Sequence, residues 1–140
     1  MKRILSLLLA SGGLLVLAAR PIGAHHSFAA EFDANSPIKL QGAITKVEWI
    51  NPHAWIHIDV KKPDGTVEQW AIEGGTPNTL LRRGVKKESL KIGTTILVEG
   101  YRAKDGSMRA NGRDLTFTDG RKLFVGSLGT GAPDDAKDQK

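Results

Sequence analysis

A small all-β domain, built as an OB-like barrel of five to six strands with one short helix between strands three and four, is what three features of this chain predict. Apolar and polar residues alternate over short runs separated by Gly, Pro, Asn and Asp turn signals. One stretch, Thr76 to Gly84, breaks that rhythm with helix punctuation and falls after the third run. Glycines stand at positions 42, 100 and 112 inside otherwise strand-like segments, where a small closed sheet needs bends. An eight-stranded lipocalin-like barrel or a β-sandwich competes with this reading, but the chain is short for the former.

The elements follow in order. Lys2 and Arg3 precede an uncharged, mostly apolar run, Ile4 to Ala19, and Arg20-Pro21-Ile22-Gly23-Ala24 ends it on a small residue. This is the layout of a cleavable signal peptide over 1–24, cut after Ala24. The run is shorter than the ~20 apolar residues of a membrane span and contains Ser11, Gly12 and Gly13, and no second apolar run follows. Residues 25–37 read as an extended, turn-prone lead-in ending in Asn35-Ser36-Pro37. The domain is expected over 38–126. Its first strand spans Ile38 to about Trp49, with Leu40, Gly42 and Ile44 in phase. A change of phase to Val47 and Trp49 implies a bulge near Lys46. The second, Ala54 to Lys61, alternates cleanly, with Trp55, His57 and Asp59 opposite Ile56, Ile58 and Val60. Pro63-Asp64-Gly65 turns it into a third strand, Thr66 to Ile72, which Glu73-Gly74-Gly75 should break. Thr76 caps a short helix with Pro77 at its first position and Gly84 at its end. Strands over Thr94–Ala103 and Met108–Phe117 are joined by Lys104-Asp105-Gly106-Ser107, and a last short strand covers Arg121–Val125. The tail 127–140 is small, polar and charged, and reads as disordered.

Composition narrows the function classes. The formal charge of +5 includes Lys2, Arg3 and Arg20; without the signal, 17 basic side chains face 15 acidic ones, a net +2. That balance gives no electrostatic footprint for nucleic acid. With no cysteine, neither disulfides nor a lipid-anchored amino terminus is available, and stability must come from packing and hydrogen bonds. Motifs for nucleophilic serine chemistry, phosphate loops and dinucleotide binding are missing, so a catalytic role is not expected.

The histidines carry the chemistry. His25 and His26 stand at the expected new amino terminus, and His53 and His57 flank Trp55. A free amine and imidazole on His25, with a further imidazole, would make a nitrogen-rich site of the kind that suits Cu(II). A cut after Gly23 instead places His25 second and His26 third, and a third-place histidine binds Cu(II) or Ni(II) through backbone nitrogens. His53 and His57 are four apart on a strand, ~13 Å between Cα atoms, too far to share one ion. The expected metal set is therefore His25, His26 and His53. Trp55, His57 and Asp59 form a possible ligand face, with Asp59 a partner for a nearby ring. The plainer reading is that these histidines are solvated polar residues and that Trp55 packs under the lead-in beside Phe28 and Phe32.

His25-His26-Ser27-Phe28 together with Asn51-Pro52-His53-Ala54-Trp55 resembles a family of small exported bacterial proteins of unknown function, over His25 to about Val125. The resemblance implies a periplasmic single-domain β protein and implies that the two histidine motifs belong to one feature. It implies no activity. The functional expectation is a periplasmic module that binds copper for storage or delivery, partnered by a metal ion or an unknown envelope protein. The alternative is a metal-free interaction module of the envelope.

Overall fold

The structure is a computed structural model that describes residues 28–127 and 130–133. The expected signal segment 1–24, His25, His26 and residues from 134 onward lie outside the described residues. The chain runs α1 (Phe28–Glu31), β1 (Phe32–Glu48), β2 (Trp55–Lys61), β3 (Val67–Glu73), α2 (Pro77–Arg82), a 3-10 turn (Lys87–Ser89), β4 (Thr95–Ala103), β5 (Arg109–Phe117) and β6 (Lys122–Phe124). Its strands form one sheet in the order β3-β2-β1-β4-β5-β6. A parallel pairing of Ala71–Glu73 with Arg109–Asn111 joins β3 to β5 and closes the sheet into a ring. The remaining pairings are antiparallel. The chain is thus all-β apart from short helices, with a five-stranded closed ring, β6 at its edge, and α2 between strands three and four as the pattern predicts.

Local chemistry explains the closure. The β1–β2 register shifts between Ile44 and Lys46, where the apolar phase of the sequence changes. A side chain at Gly42 would place Cβ 2.6 Å from the Asp59 carbonyl oxygen, and one at Gly100 would overlap the Asn111 carbonyl. At both points strand backbones approach more closely than a Cβ permits. Ile44, Ile56, Ile58, Ile72, Ile96 and Leu115 fill the interior, each no more than 1 % exposed. Full burial of such a side chain is worth about 1.5–3 kcal/mol. In α2, Thr76 Oγ1 accepts the Thr79 amide at 3.1 Å, and Pro77 occupies the first turn. The helix delivers Leu80 to the same core.

The described residues carry regular structure and contacts at both ends of the domain. The lead-in is not extended throughout: Phe28–Glu31 is a helical turn, and β1 begins at Phe32 rather than Ile38. Phe28, Phe32 and Ala103 form a second apolar cluster, with Tyr101 and Ala132 against it. The tail does not become featureless at 127: Ser127 is buried, and the Thr130 carbonyl accepts the Phe28 amide at 2.9 Å. No helix among the described residues is long and apolar enough to cross a membrane.

Candidate functional site

His53 lies just before β2, where the end of β3 and the start of the tail meet it. The Gly74 amide donates to the Ala54 carbonyl at 2.8 Å, the Ala54 amide to Gly75 at 3.0 Å, and the Gly75 amide to Val125 at 2.7 Å. These bonds hold the glycine pair against the His53 loop. The Gly74 carbonyl is 3.2 Å from His53 Nδ1 and also accepts from Ser127 Oγ at 3.3 Å. A carbonyl only accepts, so the contact requires the proton on Nδ1. In the neutral ring Nε2 then carries the lone pair, and among the described residues it has no hydrogen-bond partner.

Beside the ring stands a carboxylate that the sequence pattern did not single out. Glu73 Oε1 is 3.8 Å from His53 Nδ1, and the Glu73 side chain is 11 % exposed. Asn111, itself buried, donates from Nδ2 to the same oxygen at 3.4 Å. Burial pushes the Glu73 carboxyl above its ordinary range, and the nearby charge of Glu31 pushes the same way, while His53, Asn111 and Arg109 oppose them. Sequence reasoning treated Glu73 as the start of a break and Asn111 as an ordinary strand residue. In fact β3 runs through Glu73, and its pairing with Asn111 is the seam that closes the ring. The one available signal was phase: Glu73 alternates with Ile72 and Trp70, off the core face.

Across the ring, Cα partners run Glu48–Trp55–Glu73–Asn111–Tyr101. The Phe28 ring stands edge-on to Tyr101, with centroids 5.3 Å apart. Glu31 pairs with Arg109 at 3.6 Å and also acts on the Glu73 carboxyl. Helix α1 therefore lies along the same row of residues as Glu73, and one residue separates Phe28 from His26 in the chain.

The structure does not bring His53 and His57 together at a common partner. His57 Nε2 contacts Glu48 Oε2 at 2.7 Å, while Lys46 Nζ holds Glu48 Oε1 at 2.7 Å. The Lys46 bond first, then the His57 bond, keep the Glu48 carboxyl below its ordinary range. Trp55, His57 and Asp59 share the half-buried face of β2, as the alternation predicts. The partner of the His57 ring is Glu48, however, and not Asp59, whose Oδ1 is buried with no hydrogen-bond partner. Trp55 stands outside the apolar cluster of Phe28 and Phe32, so it does not serve as their packing partner.

Among the described residues, no group of three or more His, Asp or Glu side chains is arranged to hold a metal ion. The other two histidines of the expected metal set, His25 and His26, lie outside them. No curated protein and no solved structure matches the chain. A family described only as of unknown function (DUF6152) matches residues 13–112, a span that takes in both histidine motifs, Glu73 and Asn111. On that match the chain belongs to this family of unknown function, DUF6152.

Proposed function

We propose that this chain is an exported periplasmic module that binds Cu(II) through His25, His26 and His53, and that it stores or delivers the ion without catalysing a reaction. One observation carries the reading. The His53 ring is held through Nδ1 by a backbone carbonyl, which leaves Nε2 as a ligand atom. Histidines that bind metals are oriented in this way, with the second nitrogen fixed by a carbonyl or carboxylate. The position of α1 supports it. Phe28, three residues after His25 in the chain, is tied to Thr130 and Tyr101, and a chain of three residues spans at most about 11 Å. An amine and imidazoles make a nitrogen set suited to Cu(II).

The test is a Cu(II) titration, read by competition with a chelator, of the chain beginning at His25. The same chain with one added amino-terminal residue and a His53→Ala variant are compared with it. Affinity at least tenfold lower in both altered forms is the expected result. Equal affinity in all three, or none in any, overturns the reading. Mass spectrometry of the secreted protein is expected to find His25 as its first residue.

A second reading, a metal-free interaction module, draws on the buried and unpartnered Asp59 Oδ1 on the face of β2 that carries Trp55 and His57. It expects Trp55→Ala to behave in cells like a deletion of the gene, and His25→Ala and His26→Ala to behave like the unsubstituted protein.

A further inference from the structure

The pairing of a buried carboxylate with His53 has a consequence for the ring itself. A neutral imidazole carries one proton, and the two tautomers present different nitrogens to a ligand. Two acceptor groups face Nδ1: the Gly74 carbonyl at 3.2 Å and Glu73 Oε1 at 3.8 Å. The carbonyl makes the hydrogen bond. The carboxylate is too distant for one, but its charge lies on the same side of the ring, where burial leaves little water to screen it. Asn111 Nδ2 holds the oxygen that faces His53, and Asn111 is only 3 % exposed. A buried carboxylate costs stability unless it is paired. Here its partners are a largely covered histidine and an amide, with Glu31 and Arg109 as the other charged groups acting on it.

We propose that Glu73, braced by Asn111, is a positioning residue that keeps the His53 ring in the Nδ1–H tautomer, so that Nε2 is the nitrogen available to a metal ion. The assignment of the tautomer stands on this geometry alone; what Nε2 then binds rests on the copper reading.

The conservative variant is Glu73→Gln, which keeps the shape and removes the charge. The first measurement is made on the metal-free protein, by long-range ¹H–¹⁵N correlation of the imidazole nitrogens, with the His53 signals assigned by their loss in His53→Gln. The unsubstituted protein is expected to show a protonated Nδ1 and an unprotonated Nε2, and Glu73→Gln is expected to raise the population protonated on Nε2. Cu(II) binding is then compared. Glu73→Gln is expected to weaken it about 10- to 100-fold. In a His53→Ala background it should weaken it no further, because the carboxylate acts through the ring. A protonated Nε2 in the unsubstituted protein, or a tautomer ratio unchanged by Glu73→Gln, overturns the assignment. So does an equal loss of Cu(II) affinity with and without His53. If the tautomer shifts as expected while the unsubstituted protein binds no Cu(II), the copper reading fails and the positioning role of Glu73 remains.

Discussion

Glu73 is the residue at which stability and site geometry pull in opposite directions. Burial, reinforced by the charge of Glu31, raises its carboxyl above the usual value of 4.5. A raised carboxyl holds its proton more tightly in the folded chain than in the unfolded one. Well below pH 4.5 both states are protonated and Glu73 contributes no penalty. As pH rises through that value the unfolded chain ionises first, and stability falls until the folded carboxyl has ionised too. Other carboxylates act with the opposite sign. Asp33, Asp64, Asp105 and Asp119 are all held below their ordinary range, each by local hydrogen bonds first, and they add stability as pH rises. The contribution of Glu73 is therefore read as a difference. Urea midpoints of the metal-free protein and of Glu73→Gln, taken at pH 4 and pH 8, should diverge toward pH 8, with the Gln variant the more stable. Parallel midpoints across that interval would show that Glu73 ionises without strain. A variant that is more stable yet binds Cu(II) less well is the combination expected of a residue kept for its site.

At the scale of elements, the parts that the chain's pattern announces are those made by local chemistry. In β2 the alternation of Ile56, Ile58 and Val60 with His57 and Asp59 survives unchanged, because one face of that strand meets the core. The helix is announced by a cap, a proline and a glycine, and Thr76, Pro77 and Gly84 occupy those roles, Gly84 at φ 79°. Thr76→Ala, which removes the acceptor for the Thr79 amide, is expected to cost about 1 kcal/mol. A thermal or urea unfolding curve reads this loss. Gly100→Ala is expected to cost more, about 1–3 kcal/mol by overpacking, because the new Cβ meets the Asn111 backbone and not a side chain that can turn away. What the pattern did not announce is non-local. Glu73 is buried because β3 pairs with β5 at a sequence separation of 38, and Asn111 for the same reason. Helix α1 is a single turn whose only periodic signal is the spacing of Phe28 and Phe32. The site was thus half legible: His53 could be named from its motif, while the carboxylate beside it emerges only once the ring closes.

In the molecule as a whole, two apolar cores of unequal size set which parts open together. The main core runs through the ring and α2, while Phe28, Phe32 and Ala103 make a satellite that fastens α1 over β4. The Lys104 amide donates to the Glu31 carbonyl at 2.9 Å and the Phe28 amide to Thr130 at the same distance, so the satellite also carries its own hydrogen bonds. A cluster of this size, attached by one helical turn, is expected to open locally without unfolding the ring. Phe28→Ala removes a ring that is 4 % exposed and touches both Phe32 and Tyr101. Its expected cost is about 3 kcal/mol, at the low end for a buried phenylalanine because the helical turn can detach. Native-state hydrogen exchange should place that loss on the Phe28 and Lys104 amides. Amides of Ile72 and Val98, inside the ring, should retain the protection they have in the unsubstituted protein. An equal loss at all four would make α1 part of the same cooperative unit as the ring. The local outcome has a functional corollary, since α1 leads directly into His26 and His25. Under the copper reading, Phe28→Ala should lower Cu(II) affinity while leaving the main unfolding transition in place, because it loosens the helical turn that follows the amino-terminal histidines in the chain.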